Sequence, residues 1–246
     1  MSSQLRIDLQ EMAGAAIVSP RGVLDRATHG RLRTALVKAA TDEPRAVVAD
    51  LTELAVSDAS AYALFASVSS QLAEWPGLPL LLATGPGGGD AKPPPHVRRF
   101  LPVCPSVAEA VARIDDPPPR RIARLVLPNS FAGTRQAQQF VRDVCADWDV
   151  VAATSDAMMI ACELVENTLL HTYCAPSLRM ELRRGLLTVA VYDDDPAPAE
   201  LVEPAGARGT RGGLALVATL ARTWGCASTT FGGKVVWAVM RIRDRN

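Results

Sequence analysis

The chain reads as an α/β (α+β) protein of two domains, and three observations predict this. Apolar runs of strand length alternate with amphipathic helical segments in both halves, a proline-rich break separates the halves, and the composition supplies apolar material for two cores. Of the 246 residues, 48% are hydrophobic and 21% charged, the balance of a globular chain and not of a disordered or fibrous one. The break is Asp115-Asp116-Pro117-Pro118-Pro119-Arg120-Arg121. It can neither continue a helix nor pair as a central strand, and its prolines favour an extended spacer. The expected domains are therefore 1–115 and 122–246, with a linker at 116–121.

In the first half, Ala15 to Ser19 and Ala46 to Asp50 read as short buried strands. Between them Thr28 is placed to cap a helix whose inner face carries Leu32, Ala35, Leu36 and Ala39. Asp58, in Ser57-Asp58-Ala59-Ser60, caps a second helix marked by Ala61, Leu64, Phe65, Val68 and Leu72. Leu78 to Ala83 is another apolar strand, and Ser106-Val107-Ala108-Glu109 fits a capping box opening a last helix through Ile114. The stretch from Gly85 to Asp90, with Pro93-Pro94-Pro95, reads as a mobile surface loop inside this domain. Together these segments imply helices packed on a mostly parallel or mixed sheet.

The second half opens with a strand at Leu125-Val126-Leu127 and a helix around Ala137 to Trp148, with Phe140, Val141, Val144 and Cys145 inward. Next comes Cys162-Glu163-Leu164-Val165-Glu166-Asn167-Thr168-Leu169-Leu170-His171, where Glu163, Asn167 and His171 recur every four residues and share one face of a helix. A carboxylate and a carboxamide one turn apart suit a metal-nucleotide site, since the amide oxygen can bind Mg²⁺ and the carboxylate can polarise a hydroxyl. The same spacing also fits an ordinary amphipathic helix with its polar face in solvent, and His171 equally fits packing or a helix-end hydrogen bond. Leu186 to Tyr192 is a strand ending in Asp193-Asp194-Asp195-Pro196, which delivers carboxylates to a sheet edge. Gly209-Thr210-Arg211-Gly212-Gly213 then precedes a helix, a place where backbone amides can approach phosphate closely. Gly232-Gly233 and a strand from Lys234 to Ile242 close the chain.

Lys plus Arg and Asp plus Glu both number 26, so no global basic field draws nucleic acid or an anionic membrane, and a protein or small-molecule partner is expected. Met1-Ser2-Ser3-Gln4-Leu5-Arg6 lacks a basic segment leading into an apolar run, and no apolar stretch reaches membrane-spanning length, so a soluble cytoplasmic chain is expected. Five cysteines, at 104, 145, 162, 174 and 226, are scattered without C-x-x-C spacing and read as reduced thiols. The three histidines are too dispersed for a zinc site.

Gly22-Val23-Leu24-Asp25, Val47-Val48-Ala49-Asp50-Leu51 and Asp58-Ala59-Ser60-Ala61 occur in the order found in STAS domains of anti-sigma-factor antagonists, and residues 1 to about 115 resemble that family. In members regulated by phosphorylation, the phosphoacceptor Ser directly follows the Asp at the helix start. Here that position is Ala59, and Ser60 is the nearest substitute phosphoacceptor. The resemblance therefore implies a domain that binds a partner without being switched in the usual way.

The second half resembles the GHKL (HATPase, Bergerat-type) α/β sandwich, most closely that of the small anti-sigma-factor serine kinases of actinobacteria. The likeness rests on Glu163-Leu164-Val165-Glu166-Asn167 as the N box, then Asp193, then Gly209, Gly212 and Gly213, then Trp224-Gly225 and Lys234-Val235-Val236-Trp237. By that resemblance Glu163 is the general base, and Asn167 holds the Mg²⁺ that bridges the phosphates of ATP or ADP. Asp193 accepts a hydrogen bond from the adenine amino group, while Gly209, Arg211, Gly212 and Gly213 form the lid and phosphate cradle. Phosphoryl transfer needs mainly positioning and charge neutralisation, for which this inventory is adequate. The chain departs from the family in placing Asp195 and Ala197 where glycines stand, in Arg211 in place of a glycine, and in Val235 in place of a Thr hydroxyl near the adenine.

The resemblance thus implies a partner-switching regulator, an ATP-dependent protein serine/threonine kinase of the anti-sigma-factor type acting on transcription. Its expected partners are STAS-domain antagonists or a sigma factor, and since small kinases of this kind often dimerise it also allows a homodimer. The alternative is a non-catalytic, nucleotide-dependent protein-binding switch. A sensor histidine kinase would need a dimerising helical hairpin before the ATPase domain, and chaperone and topoisomerase relatives are far longer.

Overall fold

The computed structural model describes residues 5–86, 93–99, 101–114, 120–197, 213–230 and 232–242. The chain divides into two compact units, 1–117 and 118–246. Both are mixtures of strands and helices, and among the described residues no helix is long and apolar enough to cross a membrane.

The first unit runs β1 (Arg6–Met12), β2 (Ala15–Leu24), α1 (His29–Ala40), β3 (Val47–Asp50), β4 (Leu54–Val56), α2 (Ala63–Glu74), β5 (Leu80–Ala83), α3 (Pro95–Arg98), β6 (Val103–Cys104) and α4 (Val107–Ala112). Its sheet has the order β1-β2-β3-β5-β6, with β4 paired to the far end of β2. Only β1 is antiparallel to its neighbour. A two-residue turn joins β1 to β2, with φ 50° at Ala13 and 76° at Gly14, the two positive values that a hairpin matched to strand twist requires. The sequence reading assigns no strand to β1, because this edge strand is largely exposed and has no apolar run to mark it.

Helix starts in this unit are set by short polar side chains. Ser106 accepts from the Glu109 amide at 3.2 Å, as the capping box requires. Asp58 caps a 3₁₀ turn, Ala59–Tyr62, that leads into α2, its carboxylate accepting from the Ser60 amide at 2.6 Å. Thr28 stands at the cap position of α1 but does not cap it. Its hydroxyl donates to the Val23 carbonyl at 2.8 Å, while Asp25 Oδ1 takes the amides of Ala27 and Thr28, each at 2.9 Å. Of the expected inner residues, Leu32, Leu36 and Ala39 of α1 and Leu64, Phe65, Val68 and Leu72 of α2 are buried, while Ala35 and Ala61 are half-buried.

The second unit contains β7 (Arg120–Val126), α5 (Phe131–Asp147), α6 (Thr154–His171), β8 (Ser177–Arg183), β9 (Leu186–Asp193), α7 (Gly213–Leu220), β10 (Thr223–Ser228) and β11 (Lys234–Arg241). Arg120 and Arg121, read from the sequence as the end of the spacer, are already strand residues of β7. The sheet is antiparallel throughout, in the order β10-β11-β9-β8-β7. One face carries the helices: Ile160, Leu164 and Val165 of α6 share a buried core with Met180, Val189, Val191, Val236 and Ala238 of the sheet. β8, unassigned in the sequence, alternates Leu178 and Met180 toward that core with Arg179 and Glu181 on the other face. Those two charges are themselves buried and paired with each other, so the charged pattern hides a strand embedded on both sides.

Tyr62, between the 3₁₀ turn and α2, is 3% exposed and packs its ring 6.0 Å from that of Phe65. Its buried hydroxyl has no hydrogen-bond partner among the described residues. Burial pushes the phenol up from 10.0 to about 12. Below pH 10 the group is protonated in both folded and unfolded chains; between 10 and about 12 the unfolded chain loses the proton first, so stability falls as pH rises. We expect Tyr62→Phe to leave neutral-pH stability unchanged or raise it by up to about 1 kcal/mol, and to remove about 3 kcal/mol of alkaline destabilisation between those limits. Urea melts of both proteins at pH 7 and across the alkaline range check both parts.

Candidate functional site

The helix α6 is positioned by its buried stripe of Ala157, Ile160, Ala161, Leu164, Val165 and Thr168, which faces the sheet and its helical neighbours. That seating leaves Glu163 and Asn167 half-buried and His171 exposed in the last turn. Burial, and then the charge of Glu166, push the Glu163 carboxyl up from its ordinary value. A carboxylate shifted in that direction is a stronger proton acceptor than an ordinary glutamate.

The polar residue that ties this helix to the sheet is Thr168. Its hydroxyl lies 3.2 Å from the Leu164 carbonyl and 3.4 Å from Asp193 Oδ2 at the end of β9. Asp193 is 5% exposed and Lys234, its register partner on β11, 4%. The Lys234 ammonium donates to Asp193 Oδ1 at 3.0 Å and to the Asp195 carbonyl and Oδ2, both at 3.3 Å. Asp193 Oδ1 also accepts from the Asp195 amide at 3.0 Å, and Asp195 Oδ1 accepts from the Ala197 amide at 3.0 Å. A strand end, a strand start and a helix thus meet at one buried ion pair.

Burial pushes the Asp193 carboxyl up, against the hydrogen bond and charge of Lys234 and the Asp195 amide. For Lys234, burial pulls the ammonium down, but the bonds to and charges of Asp193 and Asp195 outweigh it and leave the pKa raised. The Ala197 amide and then Lys234 hold the half-buried Asp195 carboxyl below the usual range. The charge of His171 adds to that lowering.

Glu163, Asn167 and Asp193 are therefore brought to neighbouring elements, α6 and β9, with Thr168 as the link. Gly213 is the first residue of α7, which packs against α6. Gly209, Arg211 and Gly212 lie outside the described residues. Two expectations change. Val235, read as standing near the ligand, is on the opposite face of β11, because successive strand residues alternate and Lys234 is the one beside Asp193. Asp195, read as an added negative charge, shares the single ammonium of Lys234 with Asp193, so the group of three keeps one net negative charge. Thr168 and Lys234 were not singled out in the sequence. The signal for Lys234 is its place at the first position of the closing strand; the signal for Thr168 is its single step from Asn167.

In the first unit, Ser57, Asp58, Ala59 and Ser60 are all exposed. The Ser60 hydroxyl and then its amide bond to Asp58 and hold that carboxyl below its ordinary value. Ser57 is committed elsewhere, its hydroxyl donating to the Leu24 carbonyl at 3.0 Å.

No protein-family model matches the chain, and no curated protein matches it. Among solved structures it is similar to an anti-sigma factor antagonist from Mycobacterium paratuberculosis, at 20% identity and a TM-score of 0.39, over 46% of this chain and 96% of that one. It is also similar to the RsbU and RsbW domains of a Mycobacterium tuberculosis protein, at 18% identity and a TM-score of 0.38, over 53% of this chain and 34% of that one. An RsbS variant from Moorella thermoacetica is similar at 18% identity and a TM-score of 0.34, over 44% of this chain and 94% of that one. Likenesses of this degree assign no activity.

Gly233, next to the ion pair, has φ 76°, and a Cβ there would lie 2.1 Å from the Asp193 carbonyl oxygen. We expect Gly233→Ala to cost about 3 kcal/mol or more, because backbone must move and a left-handed conformation must be held without glycine. Chemical denaturation followed by tryptophan fluorescence checks this, and a loss under about 1 kcal/mol contradicts the packing.

Proposed function

We propose that the chain is a regulator of the partner-switching kind. In this reading the first unit is a STAS-like protein-binding module, and the second is a GHKL-type unit that binds Mg-ATP and acts on a STAS-domain antagonist or a sigma factor. The observation that carries the reading is the Thr168–Asp193 hydrogen bond, which pins the helix bearing Glu163 and Asn167 to the strand ending in Asp193. Three residues that the resemblance makes functional, separated by up to thirty positions in the chain, are thereby placed on adjoining elements.

Asn167, half-buried on the same face as Glu163, offers an amide oxygen of the kind that holds Mg²⁺ on nucleotide phosphates. Bound Mg-ATP supplies the phosphoryl group. A partner serine hydroxyl attacks the γ-phosphorus, the bond from that phosphorus to the bridging oxygen of ADP breaks, and the hydroxyl proton passes to Glu163. The raised pKa of Glu163 suits that acceptance. The first unit is a poor acceptor in cis. Ala59, at the position directly after Asp58, carries no hydroxyl, and Ser60 stands one residue further on.

A second reading is a binding switch without turnover, in which nucleotide alters partner affinity and Glu163 transfers no proton. Labelled ATP and a purified STAS-domain partner separate the two. Kinase action predicts label on a partner serine, lost by about 10²-fold or more in Glu163→Gln, with nucleotide affinity nearly unchanged. We expect Asn167→Ala instead to weaken Mg-ATP binding by roughly tenfold, read by calorimetry with and without Mg²⁺. Tight ATP binding with no label on any partner would leave only the switch.

A further inference from the structure

We infer that Lys234 is an internal competitor for nucleotide: its ammonium occupies the carboxylate through which the second unit would recognise a base, and a nucleotide binds there only by displacing it. This rests on the nucleotide-binding reading above and adds to it how that site is regulated. The ammonium has three N–H groups and three acceptors within reach, Asp193 Oδ1, the Asp195 carbonyl and Asp195 Oδ2. On the other side, Asp193 Oδ1 takes both Lys234 and the Asp195 amide, while Oδ2 takes the Thr168 hydroxyl. Oδ1 is thereby filled, and any further donor is confined to the remaining site on Oδ2, beside the Thr168 hydroxyl.

Both a base amino group and an ammonium make a charge-assisted bond to the Asp193 carboxylate, but only the ammonium adds the attraction of opposite charges. With Lys234 in place the base is therefore the weaker bidder for Asp193. The side chain also fills the space, since both members of the pair are almost wholly buried and Lys234 lies on the helix-bearing face of the sheet with Asp193. Binding thus draws only on the fraction of molecules in which Lys234 has moved, and the apparent affinity falls by that fraction.

The test uses the full chain with Mg-ATP. Calorimetry compares wild type with Lys234→Thr, which removes the ammonium, and Lys234→Gln, which keeps a shorter, neutral donor; circular dichroism confirms that each variant is folded. If one wild-type molecule in ten has the lysine displaced, Lys234→Thr binds about tenfold tighter, with a smaller gain in Lys234→Gln. Adding Asp193→Asn to Lys234→Thr should erase the gain. In parallel, acetylation of Lys234 in wild type is followed by mass spectrometry, expected slow in the free protein and faster at saturating Mg-ATP. Folded variants that bind no tighter than wild type, or a lysine equally protected with ATP bound, overturn the inference while leaving nucleotide binding intact. No binding by wild type or by any folded variant overturns the nucleotide reading, and the inference falls with it.

Discussion

A carboxylate buried at the end of a central strand is costly unless its acceptor sites are filled, and Asp193 imposes that demand on the second unit. The groups that meet it come from separate parts of the chain: the Thr168 hydroxyl from the helix, the Asp195 amide from the following loop, and the Lys234 ammonium from the neighbouring strand. Each also fixes something else. Thr168 sets the last turns of α6, and with them the face that bears Glu163 and Asn167. Lys234 can sit opposite Asp193 only in the observed register of β9 and β11, and that register brings Gly233 so close to the Asp193 carbonyl that no Cβ fits. Slipping the register by one residue would turn Val235 toward the carboxylate and leave a buried charge unpaired.

The same local device recurs at other strand ends. Asp25, Asp50 and Asp58 each accept the amide of the residue two places on, as Asp193 and Asp195 do. These are i to i+2 bonds, cheap in loop entropy and encoded by one residue, and they turn a strand into the next segment wherever an Asp ends it. Asp193 differs in burial and in its partner. Asp25, Asp50 and Asp58 lie in more accessible turns, whereas the buried Asp193 takes an ammonium from 41 positions away in the chain.

That difference separates what could be read in the sequence from what could not. α6 was legible because its apolar stripe follows the helical period, and Ser106 with Glu109, or Asp58 with the following helix, because capping is local. β1 was not, since an exposed edge strand carries no apolar run, and neither was β8, whose Arg179 and Glu181 look like surface residues until their burial as a pair is seen. For the candidate site, Glu163, Asn167 and Asp193 were found through motif order. Lys234 could be quoted as part of a closing pattern, yet its partner depends on a strand pairing that spacing does not encode. The assignment of the neighbouring face to Val235 failed for the same reason, by a single step in a period of two.

The ion pair also bears on how fold stability and ligand binding relate in the proposed nucleotide unit. A site whose buried carboxylate is satisfied only by ligand is destabilised when empty, but Lys234 lets Asp193 remain buried and charged without one. A ligand that takes Asp193 must then leave the ammonium a new partner, or the cost of an unpaired buried cation is set against its binding. Asp195 provides that partner. Its side chain is 30% exposed, it already bonds Lys234 through Oδ2 and the carbonyl, and its carboxyl is held in the charged form by the Ala197 amide. Displacement of Lys234 from Asp193 toward Asp195 therefore moves the ammonium to a wetter carboxylate and does not strand it. The acidic residue that stands where a glycine is expected is, on this geometry, what makes a lysine tolerable beside Asp193 both with and without a ligand.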